Sequence, residues 1–246
     1  MGSQVEGKIA SLGNFSSKSE EQIEKMSEVH TFSDAELDQL KILRQGMRDE
    51  KVLKIFRELR TRLYSHAKGK NFACLVTSVS SGGGASYVAK NLATSIALDK
   101  TKTSVIVDCN VYDPSVEELL GAEANLGLTD YLSVRDMGVE FVVYASGIPR
   151  VRVIPTGNNV EIATERLSSS KMQLFVQELK ARYSDRYVVM DGPAVSAYSA
   201  DVRLLSGLCD FVVLVVPYGK ATEAQVKAAI DTIGKDKLAG IVFNYV

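Results

Sequence analysis

The segment Ser81-Gly-Gly-Gly-Ala-Ser86 and two aspartates, Asp108 and Asp191, have the types and spacing to handle a phosphate. A glycine-rich turn exposes backbone N–H groups, and a helix starting behind it adds the positive end of its dipole. Gly82, Gly83, Gly84, Ala85, Ser86 and Tyr87 are the candidate anion-binding residues. A hydroxyl and carboxylates acting directly or through water can hold Mg²⁺, so Ser86, Asp108 and Asp191 are the candidate metal ligands. A working loop of this kind ends in Gly-Lys-Ser/Thr, the lysine reaching the terminal phosphates. Here the triplet is Gly84-Ala85-Ser86. The cradle and the hydroxyl remain, and the charge is gone.

The elements that must position these residues are legible as alternating runs. Phe72–Thr77 is apolar and fit for a buried strand, and Tyr87–Leu98 after the loop reads as a helix. Further strand candidates are 104–108, 151–155, 187–191, 211–216 and 240–244. Near-continuous Val/Ile runs suit strands covered on both faces, hence a mostly parallel central sheet in a three-layer αβα domain. Asp108 and Asp191 each end such a strand, at the edge where an open α/β sheet takes its ligand. Residues 1–30 are polar and without apolar periodicity, which predicts a disordered arm. Residues 31–66 read as a helical segment, with Ser33-Asp-Ala-Glu36 as a capping box and Leu37, Leu40, Ile42 and Leu43 at helical spacing. Residues 67–246 form the α/β domain.

Bulk properties exclude several classes. The 246 residues are 46% hydrophobic and 24% charged with net charge −1, ordinary for a globular protein and short of the basic surplus that nucleic-acid binding needs. No apolar run approaches a bilayer span, and the polar N-terminus lacks a secretory h-region. Cys74, Cys109 and Cys209 are dispersed in or beside strand-like runs without metal spacing, and read as buried reduced thiols.

From about Lys54 to Val246 the chain resembles the cytoplasmic domain of bacterial tyrosine autokinases of capsule and exopolysaccharide synthesis, in the MinD/ParA-like P-loop superfamily. The resemblance rests on ordered motifs: Thr77-Ser78 before the loop, Asn91-Leu92-Ala93 after it, Asp108–Ser115, Gly127-Leu-Thr-Asp-Tyr-Leu132, Asp191-Gly-Pro-Ala-Val195 with Asp201 following, and Gly240-Ile-Val-Phe-Asn244. It implies a P-loop NTPase-like fold, with Asn244 lying against a nucleotide base. It also implies that the helix bearing Arg57, Arg60 and Arg62 is an interaction surface. The departures are Ala85 for the loop lysine, Asn110 for the second aspartate and Tyr112 for the arginine of the Asp108 motif. Lys54 also stands where relatives carry an acid on the Arg57/Arg60 helix, and the tyrosine-rich tail of relatives has no counterpart around Tyr245.

Magnitudes decide what the departures cost. A charge-assisted hydrogen bond is worth about 1.5–3 kcal/mol, so losing the lysine costs roughly ten- to hundredfold in phosphate affinity. A preorganised donor to developing charge contributes about 10²–10³ in rate. Asn110 cannot act as a base. Substitute cations are few: Lys90 reads as part of a solvated helix face pointing away from the loop, and Arg150 or Arg203 would have to approach from elsewhere in the fold. Tyr87 either fills the space of a phosphate or base, or simply packs.

The expectation is a catalytically silent relative of the polysaccharide tyrosine kinases, an adaptor or regulator with Asp108 and Asp191 as vestigial catalytic groups. ATP or ADP with Mg²⁺ would bind weakly if at all. The implied partners are a membrane-embedded polysaccharide chain-length or export protein, or a true kinase, with homo-oligomers a further option and no nucleic acid. The implied location is cytoplasmic, at the inner face of the membrane through the partner. The alternatives are a weakly active kinase or ATPase using a substitute cation, and a MinD/ParA-like positioning protein.

Overall fold

Seven strands line up in the order β3-β4-β2-β5-β1-β6-β7, and every neighbouring pair is parallel except β3 with β4. The computed structural model describes residues 30–47 and 49–245. The strands are β1 (Ala73–Ser78), β2 (Thr103–Asp108), β3 (Tyr144–Ala145), β4 (Val151–Ile154), β5 (Arg186–Asp191), β6 (Phe211–Pro217) and β7 (Leu238–Asn244). The Val/Ile runs fall where expected to within two residues. The two-residue β3 carries no such run and was not anticipated.

Side chains alternate between two cores, as strand pleating requires. In β1, Ala73 and Leu75 join one cluster, while Cys74 and Val76 join the other. The first is covered by α4 (Leu128–Ser133), α6 (Ser170–Ala181), α7 (Ser199–Leu208) and α8 (Glu223–Ile233), with α5 (Ala163–Leu167) beside them. The second is covered by α2 (Glu50–Ala67) and α3 (Ala85–Ala97). This is the expected three-layer αβα arrangement. All three cysteines are buried free thiols. Among the described residues no helix is long and apolar enough to cross a membrane.

The expected disordered arm, apart from His30, lies outside the described residues. The helical reading of 31–66 holds only in pieces. Ser33 and Glu36 form the capping box of a short α1 (Asp34–Gln39), but the chain then leaves the helix, with Lys41 at φ 55°. The cause is Asn91 on α3, whose Oδ1 accepts from Leu43 N–H at 2.8 Å while its Nδ2 donates to the Lys41 carbonyl at 3.0 Å. Ile42 and Leu43 are thereby pinned in the core as a non-helical segment. The chain restarts as α2 at an Asp49 N-cap.

Candidate functional site

The loop after β1 has the local geometry of an anion cradle. Gly84 takes φ 88° as the N-cap of α3, a conformation that favours glycine, and it provides no side-chain cap for the first-turn N–H groups. A Cβ on Gly83 would stand 2.8 Å from the Ser78 Cβ and 2.9 Å from the Ser80 carbonyl, so that position is closed to larger residues. Asn244, at the end of β7, donates from Nδ2 to the Gly83 carbonyl at 3.2 Å. The asparagine therefore braces the loop. Ala85 is buried at the start of the helix. Tyr87 turns its ring edge-on to Phe56 at 6.0 Å, across the groove between α2, α3 and β7. That contact is with the packing layer.

Asp108 and Asp191 are register partners at the ends of β2 and β5 and have no solvent exposure. Their surroundings differ. Asp108 Oδ1 accepts from Asn110 N–H at 3.1 Å, and Oδ2 accepts from Ser115 and Val116 N–H at 2.9 and 3.0 Å. Neither oxygen of Asp191 accepts a backbone hydrogen bond, and the Ser86 hydroxyl is the side-chain donor near it. Burial raises the proton affinity of both carboxyls. The backbone donors oppose that rise at Asp108. At Asp191 the neighbouring Asp108 charge adds to it, while the Ser86 hydroxyl and the Lys90 ammonium oppose it.

The substituted positions have new partners. Asn110 donates its side-chain amide to the Asp113 carbonyl at 3.0 Å. Tyr112 donates its hydroxyl to Asp201 at 2.7 Å and stacks on Tyr198, the N-cap residue of α7, with centroids 3.5 Å apart and planes within 6°. The Asp108 loop is thus clasped to the helix that follows the Asp191 strand. Tyr198 was not among the residues picked out from the sequence.

Lys90 corrects the sequence reading. It is 7% exposed, not solvated, and is ion-paired with Glu118. The reason is that α3 is buried on nearly every side, so it offers no solvated face. The other possible cations are not at the loop. Arg150 donates to the Ala97 carbonyl at 3.0 and 2.6 Å, and Arg203 is exposed on α7. On α2, Arg57 is exposed and Arg62 pairs with Glu58 at 2.7 Å. Arg60 reaches inward to the Ser95 carbonyl at 2.5 Å, joining α2 to α3.

These donors do not fit the Mg²⁺ site that the resemblance implies. A hard divalent cation wants several oxygens free to ligate it. Asp108 is committed to three N–H groups, and Asn110 donates to the Asp113 carbonyl. Asp191 and Ser86 alone are available.

Comparison with known proteins agrees with the fold and with the resemblance. The tyrosine-protein kinase YwqD of Bacillus subtilis is 29% identical over 192 residues, 77% of this chain and 79% of that protein. A second, the tyrosine-protein kinase CpsD of Streptococcus agalactiae, is 27% identical over 208 residues, 83% of this chain and 86% of that one. No protein-family model matches the chain. Among solved structures, the kinase domain of the Escherichia coli tyrosine kinase ETK superposes with a TM-score of 0.72 at 21% identity, covering 88% of each chain. The cell division ATPase MinD of Pyrococcus furiosus superposes at 0.56 with 20% identity, covering 70% of this chain and 71% of that one. The fold is that of the MinD/ParA-like P-loop ATPases.

Proposed function

We propose that this chain is a catalytically silent relative of the bacterial tyrosine kinases, serving as an adaptor or regulator in exopolysaccharide or capsule assembly. The observation that carries the reading is the state of the sheet edge. Ala85 stands where the loop's cation belongs, and the paired carboxylates are held by backbone donors, as at Asp108, or left without them, as at Asp191. A phosphoryl-transfer site needs donors aimed at developing charge. Here the cradle persists without them, while the αβα frame that would present surfaces to a partner is kept whole. The partner we infer is a membrane-embedded chain-length or export protein, or an active kinase, engaged at the cytoplasmic face with α2 and its exposed Arg57 as part of the contact surface.

The test is calorimetric titration of the full chain with ADP and ATP plus Mg²⁺, with Ala85→Lys run beside it and phosphotyrosine formation followed in parallel. The reading expects nucleotide affinity at least about tenfold weaker in the wild type than in the lysine variant, and no phosphotyrosine. Autophosphorylation or steady ATP hydrolysis by the wild type, lost on Asp191→Ala, would overturn it.

A further inference from the structure

Charge is distributed unevenly between the two ends of the sheet. Six of the seven strands run parallel, so the turns that enter them share one edge. Those turns are residues 67–72, 98–102, 146–150, 182–185, 209–210 and 234–237. Together they hold eight lysines and arginines against four aspartates. The opposite edge has the reverse balance. Asp108 and Asp191 end strands there, Asp113 follows β2, and Asp130 and Asp201 lie in the first turns of α4 and α7. The turns leaving the strands, 79–84, 109–115, 155–159, 192–198 and 218–222, hold a single lysine, Lys220. The chain as a whole sums to −1, so its composition hides the surplus. At the basic edge, between α2, α6 and the starts of β1 and β6, lies a cavity of about 720 Å³. His66, Lys70, Lys180 and Lys237 line it, with Asp210 the single acid. Lys180 pairs with Asp210 at 2.6 Å and Lys237 donates to the Cys209 carbonyl at 2.8 Å, whereas Lys70 is exposed.

We propose that this basic edge is a docking surface for an anionic phospholipid bilayer, with the Lys70 cavity taking a headgroup phosphate. The inference stands apart from the adaptor reading, since an active kinase would carry the same surface equally well. The six strand starts from β4 to β7 form a band about 24 Å long, at about 4.8 Å between neighbours. A band of that length complements a planar negative surface, near which each Lys or Arg strengthens attachment roughly fivefold. Among the described residues, none of the exposed large apolar side chains lies in these turns. That argues against a protein partner, whose binding draws on buried aromatic and apolar anchors. Helices α2, α3 and α6 finish at this edge, so none presents its start to a nucleic-acid groove. The partial negative charge of each helix end offsets some of the surplus but falls off within a turn. The acidic edge is repelled by the same bilayer, which orients the molecule with the cradle facing away from it.

The test is co-sedimentation of the full chain with vesicles of phosphatidylcholine alone or with about 30% phosphatidylglycerol. Binding to the anionic vesicles is expected at about 50 mM salt. It is expected to be at least about tenfold weaker at about 0.5 M salt, and on phosphatidylcholine alone. Lys70→Glu with Lys235→Glu is expected to weaken it at least about tenfold. Lys51, which lies in the first turn of α2, and Lys220, after β6, belong to the other edge. Lys51→Glu with Lys220→Glu makes the same change in total charge and is expected to stay within about twofold of the wild type. All four side chains are exposed, where substitutions cost little stability. Should the first pair still misfold, Lys70→Gln with Lys235→Gln is expected to weaken binding at least about fivefold. No binding to anionic vesicles at low salt, equal losses from the two pairs, or binding that persists at high salt would overturn the proposal. So would tighter binding to a DNA duplex of about 20 base pairs, lost with the same two lysines. The two readings fail separately. Absence of vesicle binding leaves the adaptor reading intact, and phosphotyrosine formation by the wild type leaves this surface intact.

Discussion

Asp130 and Asp191 are both buried carboxylates, and the fold treats them in opposite ways. Asp130 Oδ2 accepts from Gly127 and Asn158 N–H at 2.9 and 3.0 Å, and Oδ1 accepts from Asn159 Nδ2 at 2.6 Å. Next to it the Thr129 hydroxyl donates to the Thr156 carbonyl at 2.9 Å and accepts from Asn159 N–H at 3.1 Å. This clasp ties the start of α4 to the segment after β4. Asp191 accepts from no backbone group and has only the weak support of the Ser86 hydroxyl. A carboxylate that satisfies several donors is explained by folding, because removing it leaves those donors buried and unpaired. One that satisfies none adds to the cost of the folded state. The two carboxylates are therefore of two kinds: Asp130 builds the frame, and Asp191 does not.

The sharpest way to break this comparison is at the clasp. A Cβ on Gly127 would stand 2.3 Å from the Gly157 nitrogen and 2.4 Å from the Pro155 carbonyl, both backbone atoms that cannot turn aside. Gly127→Ala is expected to cost about 3–4 kcal/mol in urea unfolding. Next comes Asp130→Ala, which strands three donors and is expected to cost about 2–3 kcal/mol. Should either variant unfold at the wild-type midpoint, the structural reading of this motif falls.

At Asp191 the sign reverses. Burial, with the Asp108 charge behind it, raises its proton affinity in the folded state. Below about pH 4 the carboxyl is protonated in both states and contributes nothing. As pH rises, the unfolded chain ionises first, so stability falls progressively until the folded-state value is passed. Asp191→Asn removes that penalty, and about 1 kcal/mol of added stability is expected at pH 7, with little change near pH 4. Thermal unfolding at the two pH values checks it. Loss of stability at pH 7 would mean that Asp191 has a stabilising partner, and the contrast with Asp130 would vanish.

Most of the frame is legible in the sequence because buried parallel strands are long, apolar and β-branched. Asp108 and Asp191 stand out as the acids that close two such runs. What escaped depends on contacts distant in sequence. The break after Gln39 is dictated by Asn91, some fifty residues further on, which draws Lys41 and Leu43 out of a helical pattern. Tyr198 matters only because Tyr112 comes to lie on it. Lys90 was misjudged although a signal was present: from Ala85 to Leu98 the helix has no other charged residue, so there was no polar stripe for it to join. A lone lysine in a helix of small and apolar residues argues for a buried partner. Which acid that would be, Glu118 on a 3₁₀ turn, follows only from the fold.

The smallest effect tests whether the tyrosine clasp belongs to the frame or to the site. Tyr112→Phe removes the hydroxyl that reaches Asp201 and leaves the ring to stack on Tyr198. Asp201 is 3% exposed, so its carboxylate loses a buried donor. The Tyr112 ring is 42% exposed, which lets water approach the hydroxyl's place and soften the loss. The expected cost is about 0.5 kcal/mol in urea unfolding, with no gain in nucleotide affinity, because the clasp joins the Asp108 loop to α7 and does not fill the cradle at Gly82–Ser86. A variant that loses almost no stability yet binds ADP at least tenfold more tightly would place Tyr112 among the groups that hold nucleotide out of the cradle. The tyrosine would then belong with Ala85, and the frame built around Asp130 would end at the β2 strand edge.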